Sequence, residues 1–363
     1  MYYRKFISTI NSFTEKLQDE ESINIYNAKF KYYFDRDEVA LEESLFDYAI
    51  KYKDSFSCYG LSLLYNRHPE MVDSPFIILG AGLFGKETIR TLSILGKEIK
   101  GYIDDDPEYP NGRIDGYPLI EVKDITEKYD DCIVIIATKR IYQLERYYKL
   151  LNNGVKDTNI FMYTEGGLYF DYGNQYFDVD DVKPDKEGEI FVDGGCYNGG
   201  SSIQAYKWAA GNLKKVYAFE PDPNSYNRCK ETLSKIGCEY ELIPCATWSE
   251  KTKLSFDVNV SAGFGSKVKS EGTSLVDAIS IDEVLDGNKA TYIKLDVEGS
   301  ELETLKGVVK TIKTWRPKLA ISIYHKPEDI IEIPAFLEGL DMDYKYYIRQ
   351  YQTRKCETTL YAI

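Results

Sequence analysis

This 363-residue sequence has few histidines, no excess of positive charge and no long apolar runs. The chain has 2 histidines, and 59 acidic residues outnumber 45 lysines and arginines, which gives a formal net charge of −14. Binding to a nucleic-acid backbone relies on clustered Lys and Arg, so this balance argues against nucleic acid as a partner. No stretch approaches the roughly 18 apolar residues of a membrane-spanning helix, and no span is predicted.

The cysteines also show no spacing that is typical of disulfide pairs or metal sites. The 7 cysteines are odd in number, and no Cys-x-x-Cys pair or histidine-rich cluster accompanies them. We therefore expect free thiols in a reducing compartment, without a structural zinc site. The N-terminal segment MYYRKFISTINSFTEKLQDEE has no signal-peptide apolar core, which predicts a cytoplasmic protein. Its oligomeric state cannot be read from these features.

The apolar pattern divides the chain into three parts. Residues 1–74 carry apolar residues at three- and four-residue spacing, which predicts a helical N-terminal extension packed on the domain after it. Strands then alternate with helices in residues 75–165 and again in residues 166–363. This alternation predicts an α/β fold with two doubly wound, Rossmann-like domains. The tyrosine-rich segments YKYYIRQY and ETTLYAI are candidates for an antiparallel pair that closes the second sheet.

A glycine turn opens the first of these domains, in the run FIILGAGLFG. Gly80, Gly82 and Gly85 have the GxGxxG spacing that lets a phosphate approach the backbone at a helix N-terminus. Asp104 and Asp105 end the second strand, where a ribose-binding acid is expected. We treat these five residues as a tentative second nucleotide site.

The segment around this acid pair resembles a known domain. IDDDP followed by GRIDGYPLI is similar to the N-terminal nucleotide-sugar-binding domain of bacterial sugar acetyltransferases, over residues 75–162. The resemblance implies a nucleotide-sugar ligand. Two alternatives stay open, namely a ligand-free adaptor whose glycines serve only packing, and an NAD(P)-dependent oxidoreductase. No Tyr-x-x-x-Lys or Cys/His dehydrogenase pattern follows the glycine turn.

The second glycine-rich turn differs from the first because an acid precedes it. Asp193 ends the strand EIFVD and leads into GGCYNGG, and Glu220 ends the next strand, 27 residues later. Glu220 can accept charge-assisted hydrogen bonds from a ribose diol. Asp193 would repel a pyrophosphate but can hold a cationic amino group, directly or through water. A ligand with an adenosine ribose and an amino-acid end, S-adenosylmethionine, fits both acids.

Six segments of the second domain resemble one family in order and spacing. They are FVDGGCYNGGSS, YAFEPDPNSY, VDAISIDEVL, YIKLDVEGSELETLKG, RPKLAISIYHKPEDIIEIP and YKYYIRQY…TTLYAI. Together, over residues 172–363, they are similar to the FkbM family of S-adenosylmethionine-dependent methyltransferases. The resemblance implies a class I methyltransferase fold and O-methylation, often of a sugar or secondary-metabolite hydroxyl. The family's Arg-His-Tyr segment reads Arg349-Gln350-Tyr351 here, so any role of that histidine is absent or moved.

The resemblance also implies a set of cofactor-binding residues. The loop on the methionine side would contain Asp193, Gly195, Cys196, Asn198 and Gly199, the adenosine would contact Glu220 and Asp222, and the adenine would be flanked by Ala246 and Thr247.

Candidate catalytic residues come after two later strands, at the sheet edge where ligands bind in open α/β folds. His325 follows KLAISIY and is the candidate general base, with a substrate contact or a structural role as alternatives. Lys294 and Asp296 share one face of the strand TYIKLD, and Glu298 lies in the turn after it. A lone buried lysine is costly, so Lys294 should face the cavity or pair with a carboxylate. Glu301 is interpreted as an acid that favours a helix start.

A divalent metal held by Asp296, Glu298 and His325 is an alternative, but no metal is assigned. The predicted activity is therefore methyl transfer from S-adenosylmethionine to a hydroxyl of a sugar, a glycan or a nucleotide-linked sugar, in surface-polysaccharide or secondary-metabolite biosynthesis. The competing hypothesis is a non-catalytic scaffold that binds S-adenosylmethionine or a nucleotide-sugar.

Overall fold

Two compact units divide the chain. The computed structural model describes residues 13–37, 40–41, 44–45, 57–58, 65, 68–104, 112–114, 116–162, 170–171, 175–177, 179–257, 267–268, 274–351 and 355–363. Met1–Tyr52 and Gly173–Ile363 form one unit, the main unit, and Lys53–Tyr172 form the other, the insert unit. The sequence-based boundaries after residues 74 and 165 stay predictions. Among the described residues, no helix has the length and apolar character needed to cross a bilayer.

The insert unit is built on a four-stranded parallel sheet. In spatial order its strands are Ile99–Ile103, Phe76–Leu79, Ile133–Ile136 and Ile160–Met162. The two central strands are buried along their whole length, as expected where helices cover both faces of a parallel sheet. Helix Leu83–Ile94 packs on the face of Phe76 and Ile78, and helix Arg140–Asn152 on the face of Ile77 and Leu79. Smaller elements are the strand pairs Ser57–Cys58 with Phe170–Asp171 and Arg113–Ile114 with Tyr117–Pro118, the 3-10 turns Pro69–Met71, Val122–Asp124 and Asp157–Asn159, and helix Ile125–Lys128.

The glycine turn of this unit has the predicted strand–turn–helix form. A Cβ on Gly85 would lie 1.8 Å from the carbonyl oxygen of Gly80, so this glycine permits close helix–strand packing. A Cβ on Gly82 would meet no atom within 4 Å among the described residues. The backbone N–H of Ala81 donates to the Asp104 carboxylate at 2.6 Å. Asp105 lies outside the described residues. Packing explains Gly85, and the tentative second nucleotide site at this turn stays a prediction.

A seven-stranded sheet forms the core of the main unit. Its strands are β1 (Glu189–Gly194), β2 (Leu213–Phe219), β3 (Glu239–Ile243), β4 (Tyr292–Leu295), β5 (Lys318–Ser322), β6 (Tyr346–Gln350) and β7 (Thr358–Ala362). The spatial order is β3-β2-β1-β4-β5-β7-β6. The first five strands are parallel, and β7 pairs antiparallel with both β5 and β6. This confirms the predicted α/β class I methyltransferase sheet, including its antiparallel closing pair.

Helices connect the parallel strands and a smaller sheet lies beside them. The helices are Gly200–Trp208, Pro223–Leu233, Ile281–Leu285, Glu301–Lys306, Val309–Trp315 and Asp329–Glu338. The smaller sheet has the order Ala246–Thr247, Ser274–Ile279, Thr252–Asp257, Lys267–Val268, and the apolar pattern did not predict it. Because the first five strands run parallel, the loops that follow β1, β2, β4 and β5 all emerge at one edge of the sheet.

Helix Glu20–Asp35 belongs to the main unit and packs on β6. Its N-cap, Asp19, accepts from the backbone N–H of Ser22 at 2.8 Å and also from Arg349 of β6 at 2.6 Å. The Ser22 hydroxyl accepts from the backbone N–H of Ile348 at 2.9 Å. The N-terminal extension was expected to pack on the domain next to it in sequence; its described helix instead covers the last antiparallel pair, which protects the edge strand β6.

Candidate functional site

The predicted site residues of the main unit come from four strand ends that share one edge of the sheet. Asp193 lies in β1, Glu220 directly follows β2, and Lys294 lies in β4. Register places Lys294 beside Asp193, and Leu295 beside Gly194. Asp296 then follows β4 and His325 lies three residues after the end of β5. The topology therefore gathers residues that are up to 132 positions apart in sequence, from 193 to 325.

The glycine-rich loop after β1 is held against the end of β4. Gly195 has a φ of +74°, and a Cβ there would lie 1.9 Å from the carbonyl oxygen of Asp296. Gly199 also has a left-handed φ, +81°, and starts helix Gly200–Trp208. The side-chain oxygen of Asn198 accepts from the backbone N–H of Gly200 at 3.0 Å. The glycines are thus required by backbone conformation and by close approach, which explains their spacing.

Asp193 and Lys294 form a buried ion pair beneath this loop. The ammonium Nζ of Lys294 lies 3.1 Å from Oδ1 of Asp193, and the side chains are 3% and 0% exposed. The same ammonium donates to the carbonyl oxygens of Gly194 and Gly195, at 3.1 and 2.8 Å. Burial alone would lower the pKa of Lys294, but the carboxylates of Asp193 and Asp296 raise it overall. Lys294 was expected either to face the cavity or to pair with a carboxylate, and in the structure it pairs with the carboxylate of Asp193.

The other oxygen of Asp193 anchors the next helix. The hydroxyls of Ser201 and Ser202 donate to Oδ2 of Asp193 at 2.7 and 2.6 Å. Asp193 therefore fixes the loop at both ends while it is itself fully buried. The contact of Asp193 with the amino group of the methionine part of the cofactor, either direct or through water, stays a prediction.

Glu220 faces the same loop from the end of β2. Its carboxylate accepts from the backbone N–H groups of Tyr197 and Asp222, each at 2.9 Å. Burial raises the pKa of Glu220 to about 7, although these two donors oppose the rise. Asp222 is the N-cap of helix Pro223–Leu233 and accepts from Ser225 at 2.8 Å, so a structural role accounts for it. Glu220 is left as the acid available to hydroxyl donors.

Three more predicted cofactor residues have contacts of a structural kind. The thiols of Cys196 and Cys229 lie 3.1 Å apart and both are buried, so the Cys196 side chain faces the helix that begins at Pro223. Ala246 and Thr247 form a short parallel pair with Ser274–Ile279. The buried Thr247 hydroxyl lies 2.8 Å from that of Thr304. Any cofactor contact by Cys196 or Thr247 would therefore be made by the backbone.

Asp296 is the acid at the end of β4. Its Oδ2 accepts from the Tyr176 hydroxyl at 2.9 Å, and its Oδ1 accepts from the Tyr324 hydroxyl at 3.2 Å. Burial would raise the pKa of Asp296, but Lys294 and His325 lower it overall, so the carboxylate is ionised at neutral pH. The tyrosines fix both oxygens in place, and sequence reasoning identified neither tyrosine.

His325 lies among three carboxylates. Its Nδ1 is 2.8 Å from Oε1 of Glu301, and its Nε2 is 3.6 Å from Asp296 and 3.5 Å from Glu298. Burial lowers the pKa of His325, but the Glu301 hydrogen bond and the carboxylate charges outweigh it and raise the pKa to about 9. The imidazole is therefore protonated at neutral pH in this state of the chain. The ring of Tyr324 packs against it at 4.1 Å.

Glu301 has a contact that the sequence did not predict, namely the one with His325. It does stand in the first turn of helix Glu301–Lys306, as predicted, but it is fully buried. Its Oε1 also accepts from the backbone N–H of Val297 at 2.9 Å, which holds it in place behind the imidazole. The one available signal was its position five residues after Asp296, at the same sheet edge as His325.

The departure at Arg349-Gln350-Tyr351 is linked to this cluster through Tyr351, whose hydroxyl lies next to that of Tyr361, and Tyr361 accepts from the backbone N–H of Tyr176. Arg349 pairs with Asp19, and the Gln350 amide oxygen accepts from the Thr358 hydroxyl. Among the described residues, the only histidine at this edge of the main unit's sheet is thus His325.

Comparisons with known proteins agree with this geometry. Residues 193–346 match the profile of the methyltransferase FkbM domain. Hexuronic acid methyltransferase AglP of Haloferax volcanii is 30% identical over 119 residues, which cover 32% of this chain and 50% of that protein. The chain thus spans about half the length of this curated relative. The resemblance of residues 75–162 to a sugar acetyltransferase domain stays a prediction.

Two solved structures also align with this chain. Methyltransferase FkbM from Methylobacillus flagellatus KT aligns with a TM-score of 0.46 and 17% identity, covering 90% of this chain and all of that one. Aeropyrum pernix fibrillarin, solved with natively bound S-adenosyl-L-methionine, aligns with a TM-score of 0.33 and 10% identity over 52% of this chain and 71% of that one. The stretch that matches the methyltransferase FkbM domain, residues 193–346, holds the glycine loop, both strand-end acids and His325.

Proposed function

We propose that the main unit transfers a methyl group from S-adenosylmethionine to a hydroxyl of a sugar, a glycan or a nucleotide-linked sugar. The observation that carries the proposal is the pairing of a glycine loop, pinned by buried Asp193, with Glu220 at the next strand end. The FkbM domain match supports the methyltransferase activity. The hexuronic acid methyltransferase among its relatives supports a sugar acceptor.

The residues fit the cofactor by their chemistry. Each oxygen of Glu220 accepts one backbone N–H, which leaves lone pairs for ribose hydroxyls, while Gly195 brings the loop backbone next to the end of β4. S-adenosylmethionine supplies the methyl group as a sulfonium. The chain must then orient donor and acceptor, and alignment of this kind provides much of the rate in such displacements.

On the acceptor side, Asp296, Glu298 and His325 would bind the hydroxyl, and one of the three would receive its proton. A positioned base contributes roughly 10²–10⁴-fold. The assignment of His325 as that base stays a prediction: the neighbouring carboxylates raise the pKa of His325 to about 9, so only the minor neutral form of the imidazole can accept a proton at neutral pH. Lys294 contributes indirectly, since its ammonium holds Asp193 and the loop carbonyls.

Calorimetric titration with S-adenosylmethionine and its demethylated product tests the cofactor half of the proposal. We expect binding in the micromolar range, strongly weakened in Glu220→Ala. Glu231→Ala is the matched control, since Glu231 pairs with Lys235 and both side chains are exposed. A folded chain that binds neither ligand would refute the proposal.

Methyl transfer itself is tested with radiolabelled cofactor and a panel of neutral sugars, hexuronic acids and nucleotide-sugars. Label in an alkali-stable ether is the expected product. Tight cofactor binding without transfer to any member of the panel or to glycan extracts would favour the scaffold hypothesis instead.

A second candidate function concerns the insert unit, where Gly82 and the uncapped start of helix Leu83–Ile94 leave room for an anion. Titration with a UDP-sugar and with NADH distinguishes a nucleotide-sugar site from an oxidoreductase. Absence of binding by both ligands would favour the adaptor interpretation.

A further inference from the structure

Four side chains of the main unit converge in an arrangement typical of a metal centre. Asp296, Glu301 and His325 each offer an atom within 4.8 Å of the others. The Nε2 atom of His325 has Oδ1 of Asp296 at 3.6 Å and Oε2 of Glu298 at 3.5 Å. These are too long for hydrogen bonds but close to the separation of neighbouring ligands around an ion bound at about 2.0–2.2 Å. The space beside Nε2 therefore suits a cation.

The opposite ring nitrogen has the partner that metal-bound imidazoles usually have. Nδ1 of His325 lies 2.8 Å from Oε1 of Glu301, and the side chains are 4% and 0% exposed. A carboxylate behind the ring fixes the tautomer with Nδ1–H and leaves Nε2 free to ligate. Both oxygens of Asp296 are likewise held, by the hydroxyls of Tyr176 and Tyr324. The outer contacts needed to hold such ligands in place are thus already present.

An independent observation is that the carboxyl groups of this cluster outnumber the cations beside them, even with His325 protonated. Oε2 of Glu301 is buried and has no hydrogen-bond partner among the described residues. Asp329 and Glu357 add further carboxyl groups whose pKa values are raised, first by burial and then by the charges of Glu301 and Asp296 respectively. The ammonium of Lys294 is already paired with Asp193, so it does not neutralise the carboxylates of this cluster by itself. Buried charge of one sign is costly unless it is paired or binds a metal.

We propose that His325, Asp296 and Glu298 bind a divalent cation, with Glu301 as the buried residue that positions the imidazole. Two carboxylates and one imidazole form a mixed oxygen and nitrogen ligand set for a divalent first-row metal ion, and Mn²⁺, which favours carboxylates, serves as the probe. The cation would lie at the end of β4, beside the glycine loop. A role of the cation in holding an acceptor hydroxyl rests on the proposed function, whereas the binding of the cation to these residues does not.

The test uses Mn²⁺ alone and the full chain, and it needs no acceptor. Free Mn²⁺ is followed by its electron paramagnetic resonance signal as protein is added. We expect one ion per chain, at least tenfold weaker binding in Asp296→Asn and Glu298→Gln, and a 10–100-fold loss in Glu301→Gln. Glu303→Gln is the matched control on the same helix, because Glu303 pairs with Lys306 outside the cluster, and it should bind as the unaltered chain does.

Two outcomes would overturn the inference. One is a folded chain that binds no Mn²⁺ below millimolar concentration, and the other is equal binding by the unaltered chain and Asp296→Asn, which would place the ion elsewhere. Circular dichroism of each variant checks the fold. Titration of the same samples with S-adenosylmethionine keeps the two proposals apart: cofactor binding without Mn²⁺ binding sinks this inference and leaves the methyltransferase proposal standing.

Discussion

Replacement of Gly195 by alanine tests the contact between the cofactor loop and β4. The new Cβ would lie 1.9 Å from the Asp296 carbonyl oxygen, whereas real Cβ contacts are not shorter than 3.0 Å, so the loop and the strand end must separate by at least about 1 Å. Both atoms are fixed by the backbone, and no rotamer change relieves the clash. The left-handed φ of +74° adds about 1–2 kcal/mol for a residue with a Cβ. Overpacking typically costs a further 1–3 kcal/mol or so.

We therefore expect Gly195→Ala to lower the free energy of unfolding by about 2–5 kcal/mol in urea titrations. Gly211→Ala isolates the conformational part of this cost, because Gly211 has a similar φ of +85° and its Cβ would meet nothing within 4 Å. That control should lose only about 1–2 kcal/mol. Binding of S-adenosylmethionine should weaken in the first variant and persist in the second. Equal destabilisation by both substitutions would show that the close approach to Asp296 does not exist.

Three further predictions concern the buried charges. Since the pKa of Glu220 is about 7 and its ionised form accepts ribose hydroxyls more strongly, cofactor affinity should rise between pH 6 and pH 8, and calorimetry of Glu220→Gln should give a flat profile. Lys294→Met should cost about 3–5 kcal/mol in urea unfolding, because Asp193 is left buried and unpaired; a loss below about 1 kcal/mol would contradict the ion pair. Adding Asp193→Asn to Lys294→Met should restore part of that loss, which a double-mutant cycle measures.

Sequence patterns predicted the elements of the main sheet because its strands are short buried runs followed by glycine or acid. Asp193, Glu220 and Asp296 were placed at strand ends by that rule, and the structure has them there. The antiparallel pair β6–β7 was likewise expected from the tyrosine-rich segments YKYYIRQY and ETTLYAI. The small sheet that contains Ser274–Ile279 was not expected, since no local signal in the sequence identifies which of its strands pair.

Partnerships across the sheet could not be read from the sequence. That Lys294 needs a carboxylate followed from the cost of burying its charge, but the choice of Asp193 depends on the register between β1 and β4. Glu301 was interpreted from its helix position alone, and a first-turn acid is normally exposed. Its burial against His325 results from the packing of two crossovers, which periodicity does not encode. Tyr176, 120 positions before Asp296, had no signal at all.

The main unit is assembled from two stretches of chain separated by the insert unit, and this has a consequence for biosynthesis. Asp19 and Arg349, which join helix Glu20–Asp35 to β6, are 330 positions apart. At about 5–20 residues per second, the ribosome makes the helix roughly 16–66 s before its docking strand. During that interval Ile25 and Tyr26, fully buried in the finished chain, have no sheet to cover them. The nascent helix therefore needs protection, for example by a chaperone, until β6 has been made.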